Sequence, residues 1–203
     1  MDKPFWEQTY ANPSVSTFSK GPTADIAEFW NLFPEGATVL DVGCGEGRNA
    51  IFLAEKGFVV DAFDISWTGL EKAKSLAADK GVDVNFFRED VAKYDFKKKM
   101  YDIVLSHGVF HLCKKHDRDR FIELSKQHTN PGGFHAICIF TNRLPATPDM
   151  APFTKSLFDV GELPGFYTDW DIVQHWEEIF EDSHPGGIHH QHARERIIAK
   201  KAD

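Results

Sequence analysis

The chain has 203 residues, 42% of them hydrophobic and 27% charged, which is enough apolar material for one globular domain around one substantial core. Its formal net charge of −8 argues against a basic face for nucleic-acid phosphates. Three cysteines set far apart (Cys44, Cys113, Cys138), with no Cys-x-x-Cys pair, argue against a disulfide framework or zinc knuckle and suit a reducing compartment.

Residues 1–36 carry many aromatics (Phe5, Trp6, Tyr10, Phe18, Phe29, Trp30), and a helical cover is expected there. They show no charged-then-apolar leader pattern, and no apolar run anywhere reaches membrane-spanning length. A cytoplasmic protein without membrane partners, monomeric or homodimeric, is the expectation. From 37 to 140 short apolar runs alternate with helical patterns. "ATVLDV" (37–42) predicts a strand covered on both faces. "RNAIFLAEKG" places Ile51, Phe52 and Ala54 on one helical side, with Gly57 as the stop. "FVVDAFD" (58–64) is a second strand, and Ser66 is placed to cap a helix that ends at Gly81. "VDVNFF" (82–87), "YDIVLS" (101–106) and "FHAICIF" (134–140) complete five strands, with a helix over 117–128 before the last. Strand and helix in alternation imply an α/β fold: a doubly wound, mostly parallel sheet with helices on both faces. Beyond 140 come a proline-rich stretch and then "HPGG", which looks like a turn between antiparallel strands. Ile172, Val173, Trp176, Ile179 and Phe180 fit helical spacing as well, so pattern leaves residues 169–182 open. Lys97–Lys99 reads as a solvated turn. One domain over 1–203 is expected, with a cofactor-binding core at 37–140 and an insert and closing strands at 141–203.

The loop "GCGEG" ends the first strand, where ligands bind in an open parallel sheet. A triphosphate loop needs a lysine and hydroxyl after its last glycine, and Arg48 and Asn49 stand there instead. A dinucleotide loop needs glycine at position 48, which is arginine. A nucleoside without phosphates remains. Asp64 ends strand two, placed to accept from ribose hydroxyls. Asp90 follows strand three, placed to accept from an adenine amine, with the Val91 N–H on the ring. Against this stands the plainer reading that Asp64 caps a turn and Asp90 is a solvated loop carboxylate. Ribose and adenine without phosphate point to S-adenosylmethionine.

At these residues the sequence resembles a known group. "VLDVGCGEGRN", "DAFD", "EDV" and "NPGG" look like the motifs of class I S-adenosylmethionine-dependent methyltransferases, over residues 37–140. "DVGCGEGRNAIFLAEKGFVVDAFDIS" is similar to the tellurite-resistance methyltransferase family, and the tail "GELPGFYTDWDIVQHWEEIFED" more loosely so. The resemblance implies a seven-stranded Rossmann-like sheet, a strand at 169–182 and a C-terminal antiparallel hairpin. It implies that the glycine loop contacts the amino and carboxylate ends of the cofactor. The cofactor-binding candidates are Asp41, Gly43, Cys44, Gly45, Arg48, Asn49, Asp64, Ile65, Asp90, Val91 and Ser106. Arg48 is placed either to add charge to the cofactor carboxylate or to stand solvated at the helix start.

The acceptor is expected to be a small molecule or a metalloid oxyanion of the tellurite or selenite kind. A small-molecule thiol or hydroxyl methyltransferase, or a cofactor-binding module without catalysis, are the alternatives. The loop after strand four, "SHGVFHLCKK", lacks the Asn-Pro-Pro-aromatic signature of many amino-group methyltransferases. It carries His107 and His111 instead, candidates for taking a proton or holding an oxyanion. The competing reading has His107 touch the cofactor edge and His111 pack at a helix start. His184 matches a histidine of the tellurite family, though Pro185 stands where that family's pattern has arginine. On a strand, His190 and His192 share a face with Arg194 and Arg196 while His189 points away, a polar stripe rather than a metal cage. No metal site is expected.

Overall fold

The computed structural model describes residues 4–18, 21–184 and 188–203, with the side chains of 182–190 outside that description. Two short helices, α1 (Phe5–Tyr10) and α2 (Ala24–Phe29), precede the sheet. Then follow β1 (Thr38–Val42), α3 (Arg48–Glu55), β2 (Val59–Asp64), α4 (Trp67–Lys80), β3 (Asn85–Arg88) and β4 (Tyr101–His107). After them come α5 (Lys115–Gln127), β5 (Thr129–Phe140), α6 (Glu162–Gly165), β6 (Asp171–His184) and β7 (Ile188–Lys200). The seven strands lie in the order β3-β2-β1-β4-β5-β7-β6, parallel from β3 to β5 and antiparallel at β5–β7 and β7–β6. Strand order reverses between β1 and β4, and this topological switch point is where such sheets bind ligands.

Alternation along β1 feeds two cores. Val39 packs in the layer with Ile51, Leu53 and Leu70, and Leu40 in the layer with Phe63, Tyr94 and Phe121, both with no exposure. Local chemistry ends the helices as expected: the Ser66 hydroxyl accepts from Gly69 N–H at 3.0 Å, and Gly81 closes α4 in the left-handed region.

Two expectations change, and the strand that the resemblance implies at 169–182, left open by pattern, is borne out. Strand β5 begins at Thr129, so "NPGG" runs inside the strand; Asn130 holds it there by donating to Asp102 Oδ1 at 2.7 Å. Residues 171–184 form an edge strand, because Trp176 and Phe180 turn to the sheet's inner neighbours while Val173 and Ile179 stay exposed. Strands β6 and β7 pair from Asp171↔Lys200 to His184↔Ile188, which bears out the antiparallel pair, while its turn residues 185–187 lie outside the described set. Lys99 is not a solvated turn residue alone, since it pairs with the Asp61 carboxylate. Among the described residues no helix is long and apolar enough to cross a membrane.

Candidate active site

The turn from β1 into α3 carries three glycines in the left-handed region: Gly43 at φ 66°, Gly45 at 56° and Gly47 at 83°. A Cβ on Gly45 would overlap the hydroxyl of Tyr10, and one on Gly43 would overlap the Val109 side chain. The bare backbone therefore lets α1 and the β4 loop close directly on this turn. Asp64, at the end of β2, fastens the turn: Oδ2 accepts from Gly45 N–H at 2.9 Å and Oδ1 from Ser66 N–H at 2.7 Å. Each oxygen keeps a second lone pair, and Asp64 borders the main cavity. Turn capping and ligand contact are thus compatible for one carboxylate. Burial raises its pKa, against the pull of the Ser66 and Gly45 N–H groups. Asp90 also caps a turn, Oδ1 accepting from Ala92 N–H at 3.0 Å, and Asp90, Val91 and the exposed Ile65 line the cavity.

Asp41, Cys44, Arg48 and Asn49 line a smaller pocket with Gly43, Gly45, Tyr10 and His107. Asp41 is 3% exposed, and burial pushes its pKa up to about 6 against the opposing charges of His107 and Arg48. Burial also pushes the Cys44 thiol well up, which makes it a packing group rather than a nucleophile. Arg48 is partly buried with its guanidinium 5.3 Å from the Phe18 ring, so it is not the solvated helix-start arginine of the alternative reading. Asn49 turns its Oδ1 to Thr23 N–H at 2.9 Å, which ties the N-terminal cover to α3.

His107 Nε2 lies 2.8 Å from Asp25 Oδ2, and its Nδ1 lies 3.5 Å from Asn49 Nδ2. Burial alone would raise the Asp25 pKa, yet the charge and hydrogen bond of His107 hold it well below the usual carboxylate range. The cover is also pinned at Glu46, which accepts from Ser16 Oγ and Thr17 N–H and pairs with Lys72 at 2.7 Å. Lys72 in turn donates to the carbonyls of Thr9, Asn12 and Val15. None of Asp25, Glu46, Lys72 or Tyr10 carried a sequence signal as a site residue.

Beneath this cover, at the carboxyl ends of the strands, opens a cavity of about 960 Å³. Ligand pockets run to roughly 300–1,000 Å³, so this one is at the upper end and has room for a nucleoside cofactor and a second molecule. His111 borders it at 1% exposure with neither ring nitrogen hydrogen-bonded; burial and the nearby charges of His192 and Arg118 push its pKa down to about 3. Its ring stacks on Phe140 at 4.5 Å, and so does that of His192 at 4.6 Å. His192 is 6% exposed and borders the cavity with Arg194 and Arg196, so the polar stripe expected on this face lies under cover at the cavity wall. The shared face was legible; the cover that buries it was not.

Two candidates fall elsewhere. Ser106 is fully buried and is absent from the cavity wall, because strand alternation presents His107 there. His184 ends β6 with its side chain outside the described residues, as do those of His189 and His190. Among the described residues no three His, Cys, Asp or Glu side chains gather to hold a metal.

Comparison with known proteins bears directly on this arrangement. A methyltransferase-domain family matches residues 39–133, from β1 to the start of β5. The probable S-adenosyl-L-methionine-dependent methyltransferase TehB of Haemophilus influenzae is 27% identical over 143 residues, 70% of this chain and 49% of its own length. The crystal structure of TehB from that organism superposes with a TM-score of 0.78 at 22% identity, covering 90% of this chain and 63% of the other. The chain is thus similar to S-adenosylmethionine-dependent methyltransferases in sequence over residues 39–133 and in its fold. The resemblance to the TehB type holds for the fold. The chain spans about half the length of that curated relative. A second relative, the 2-heptyl-1-hydroxyquinolin-4(1H)-one methyltransferase of Mycobacteroides abscessus, is 27% identical over 172 residues, 82% of this chain and 73% of its own length.

Proposed function

We propose that the protein transfers the methyl group of S-adenosylmethionine to a small-molecule acceptor held in the 960 Å³ cavity. The observation that carries this is the shared wall: Gly43, Asp64, Asp90 and Val91 border the same space as His107, His111 and Arg196. Cofactor and acceptor thus meet at the switch point of the sheet. S-adenosylmethionine supplies an activated sulfonium methyl when bound. Asp64 and Asp90 offer their remaining lone pairs to ribose hydroxyls and an adenine amine, and Val91 walls the ring. Asp41 and Arg48 offer opposite charges to the amino acid end. The cover of residues 4–18 and 21–36 excludes water, which favours displacement between oriented partners.

A metalloid oxyanion, the acceptor suggested by the tellurite-family resemblance, and an organic acceptor of the kind named for the hydroxyquinolone relative are both small enough. The aromatic lining from Trp6, Phe140 and Phe180 favours the organic one, since a bare oxyanion leaves those faces wet. Free cysteines, of which Cys44 and Cys138 are buried, fit a reducing compartment such as the cytoplasm. Calorimetry with S-adenosylhomocysteine tests the cofactor, and its release from S-adenosylmethionine over a panel of tellurite, selenite, thiols and hydroxyl compounds tests transfer. Failure to bind either cofactor form overturns the reading.

A further inference from the structure

We propose that the methyl acceptor is a planar aromatic acid whose ionised oxygen docks against Arg196 and His111 while its ring stacks in the aromatic end of the cavity. This rests on the methyltransferase reading above. Three observations carry it. First, His111 offers one donor and one acceptor, both buried and both without a partner in the protein. A buried polar group left unsatisfied is costly, so a ligand that supplies the partners gains what the empty site forgoes. Second, Arg194 and Arg196 on β7 both turn to one carboxylate oxygen: Glu178 Oε1 lies 2.9 Å from Arg194 and 2.7 Å from Arg196. Two guanidiniums sharing one carboxylate leave a surplus positive charge, and the buried Nε of Arg196 has no partner. Asp25, the other carboxylate whose charge Arg196 feels, is engaged by His107. Third, the wall between these groups is aromatic: Phe140 under His111 and His192, with Phe180 6.1 Å from Phe140. A planar anion matches all three.

The chemistry needs no base. A carboxylate arrives ionised, and a phenol gives its proton to water as it binds beside the guanidiniums. The acceptor oxygen then uses a lone pair to form the O–CH₃ bond as the methyl C–S bond breaks, its electrons returning to sulfur. The oxyanion and sulfonium charges cancel, and no proton moves in the step. That agrees with His107, whose two nitrogens face Asp25 and Asn49, and with His111, held as a neutral imidazole.

The test is calorimetric titration of the protein, saturated with S-adenosylhomocysteine, by benzoate, salicylate, 4-hydroxybenzoate and 1-naphthoate, each beside its neutral methyl ester. We expect at least one acid to bind tenfold or more tighter than its ester, and to be methylated when S-adenosylmethionine is supplied. Arg196→Met abolishes that preference, Arg196→Lys restores part of it, and His111→Phe weakens acid binding about tenfold, with S-adenosylhomocysteine affinity within twofold throughout. Should Arg196→Met not fold, Arg196→Lys and His111→Phe decide. Acids and esters binding alike, an acid preference that survives these substitutions, or turnover of tellurite or selenite above that of every acid overturns the proposal and leaves the methyltransferase reading standing. Absence of S-adenosylhomocysteine binding overturns both.

Discussion

Asp25 of the N-terminal cover and His107 at the end of β4 are joined at the wall of the large cavity, Oδ2 to Nε2 at 2.8 Å, with both side chains buried. The contact makes the cover part of the site, since the same imidazole borders the cavity. Asp25→Asn keeps the shape and removes the charge. Losing such a buried charged partner costs about 1–3 kcal/mol. The Asp25 carboxyl is held below its unfolded value, so its ionisation favours the folded state. That contribution is complete above about pH 4 and is lost as pH falls further. Urea unfolding is expected to find Asp25→Asn less stable than wild type at pH 7, with the gap closing as pH falls below 4. Equal stability at pH 7 would show that the pair does not hold the cover.

Asp41 has the opposite sign. Its pKa rises from about 4 unfolded to about 6 folded, so the native state binds more protons in that window. Stability therefore falls as pH rises from about 4 through 6, by about 3 kcal/mol in total at about 1.4 kcal/mol per unit. Asp41→Asn is expected to be more stable than wild type at pH 8 and no more stable at pH 4, measured by denaturant midpoints in the two buffers. S-adenosylhomocysteine, whose amino group is cationic, should shrink the wild-type deficit at pH 8; an undiminished deficit speaks against Asp41 meeting that amino group.

Asp64 fastens the glycine turn, and the ribose contact proposed for it is testable. Asp64→Ala removes the acceptor for Gly45 and Ser66 N–H as well as any ribose contact. We expect S-adenosylhomocysteine to bind at least tenfold more weakly by calorimetry. Asp64→Asn retains one carbonyl acceptor and is expected to fall between the two. An unchanged dissociation constant in Asp64→Ala would remove Asp64 from the cofactor site.

The part of this site that was readable in the sequence lies where backbone geometry and chemistry coincide. G-x-G-x-G needs left-handed residues at a strand end, and Asp64 and Asp90 stand at the next two strand ends, so position alone nominates them. Asp25 gave no such sign: in "TADIAEF" a buried carboxylate looks like any acidic first turn of a helix. Glu46 likewise fills a variable place in the glycine motif, and its partners, Lys72 and the 16–17 backbone, come from remote segments. Strand periodicity put His192, Arg194 and Arg196 on one face but carried no information on whether that face was covered. The helical spacing at 172–180 misleads for a related reason: an edge strand tolerates exposed Val173 and Ile179, which blurs its alternation.

Lys72 is the anchor of the cover. Its ammonium, 6% exposed, pairs with Glu46 and donates to three carbonyls of residues 9–15. Lys72→Met strands the Glu46 carboxylate, and removal of one partner of a buried pair costs about 3–5 kcal/mol. Limited proteolysis is expected to cut the variant within residues 4–18 at low protease levels that leave wild type intact. The double variant Lys72→Met/Glu46→Gln should recover much of the stability, since no buried charge is left alone. Equal protease resistance in Lys72→Met would mean that α1 is held by other contacts.

Gly45 and Tyr10 meet where the cover closes on the glycine turn. With φ at 56°, any Cβ at position 45 is strained by about 1–2 kcal/mol, and it also runs into the Tyr10 hydroxyl. These two costs separate in a cycle. Gly45→Ala is expected to lose stability and S-adenosylhomocysteine affinity together, because the turn and the ring cannot both keep their places. Tyr10→Ala alone opens the cover and weakens affinity, since the buried ring leaves a void at the pocket wall. In Gly45→Ala/Tyr10→Ala the overlap is gone while the backbone strain persists. The double variant is therefore expected to be more stable than the sum of the single losses, by 0.5 kcal/mol or more as contacting pairs show. Additive losses would place the whole cost of Gly45→Ala in its backbone and none in its contact with Tyr10.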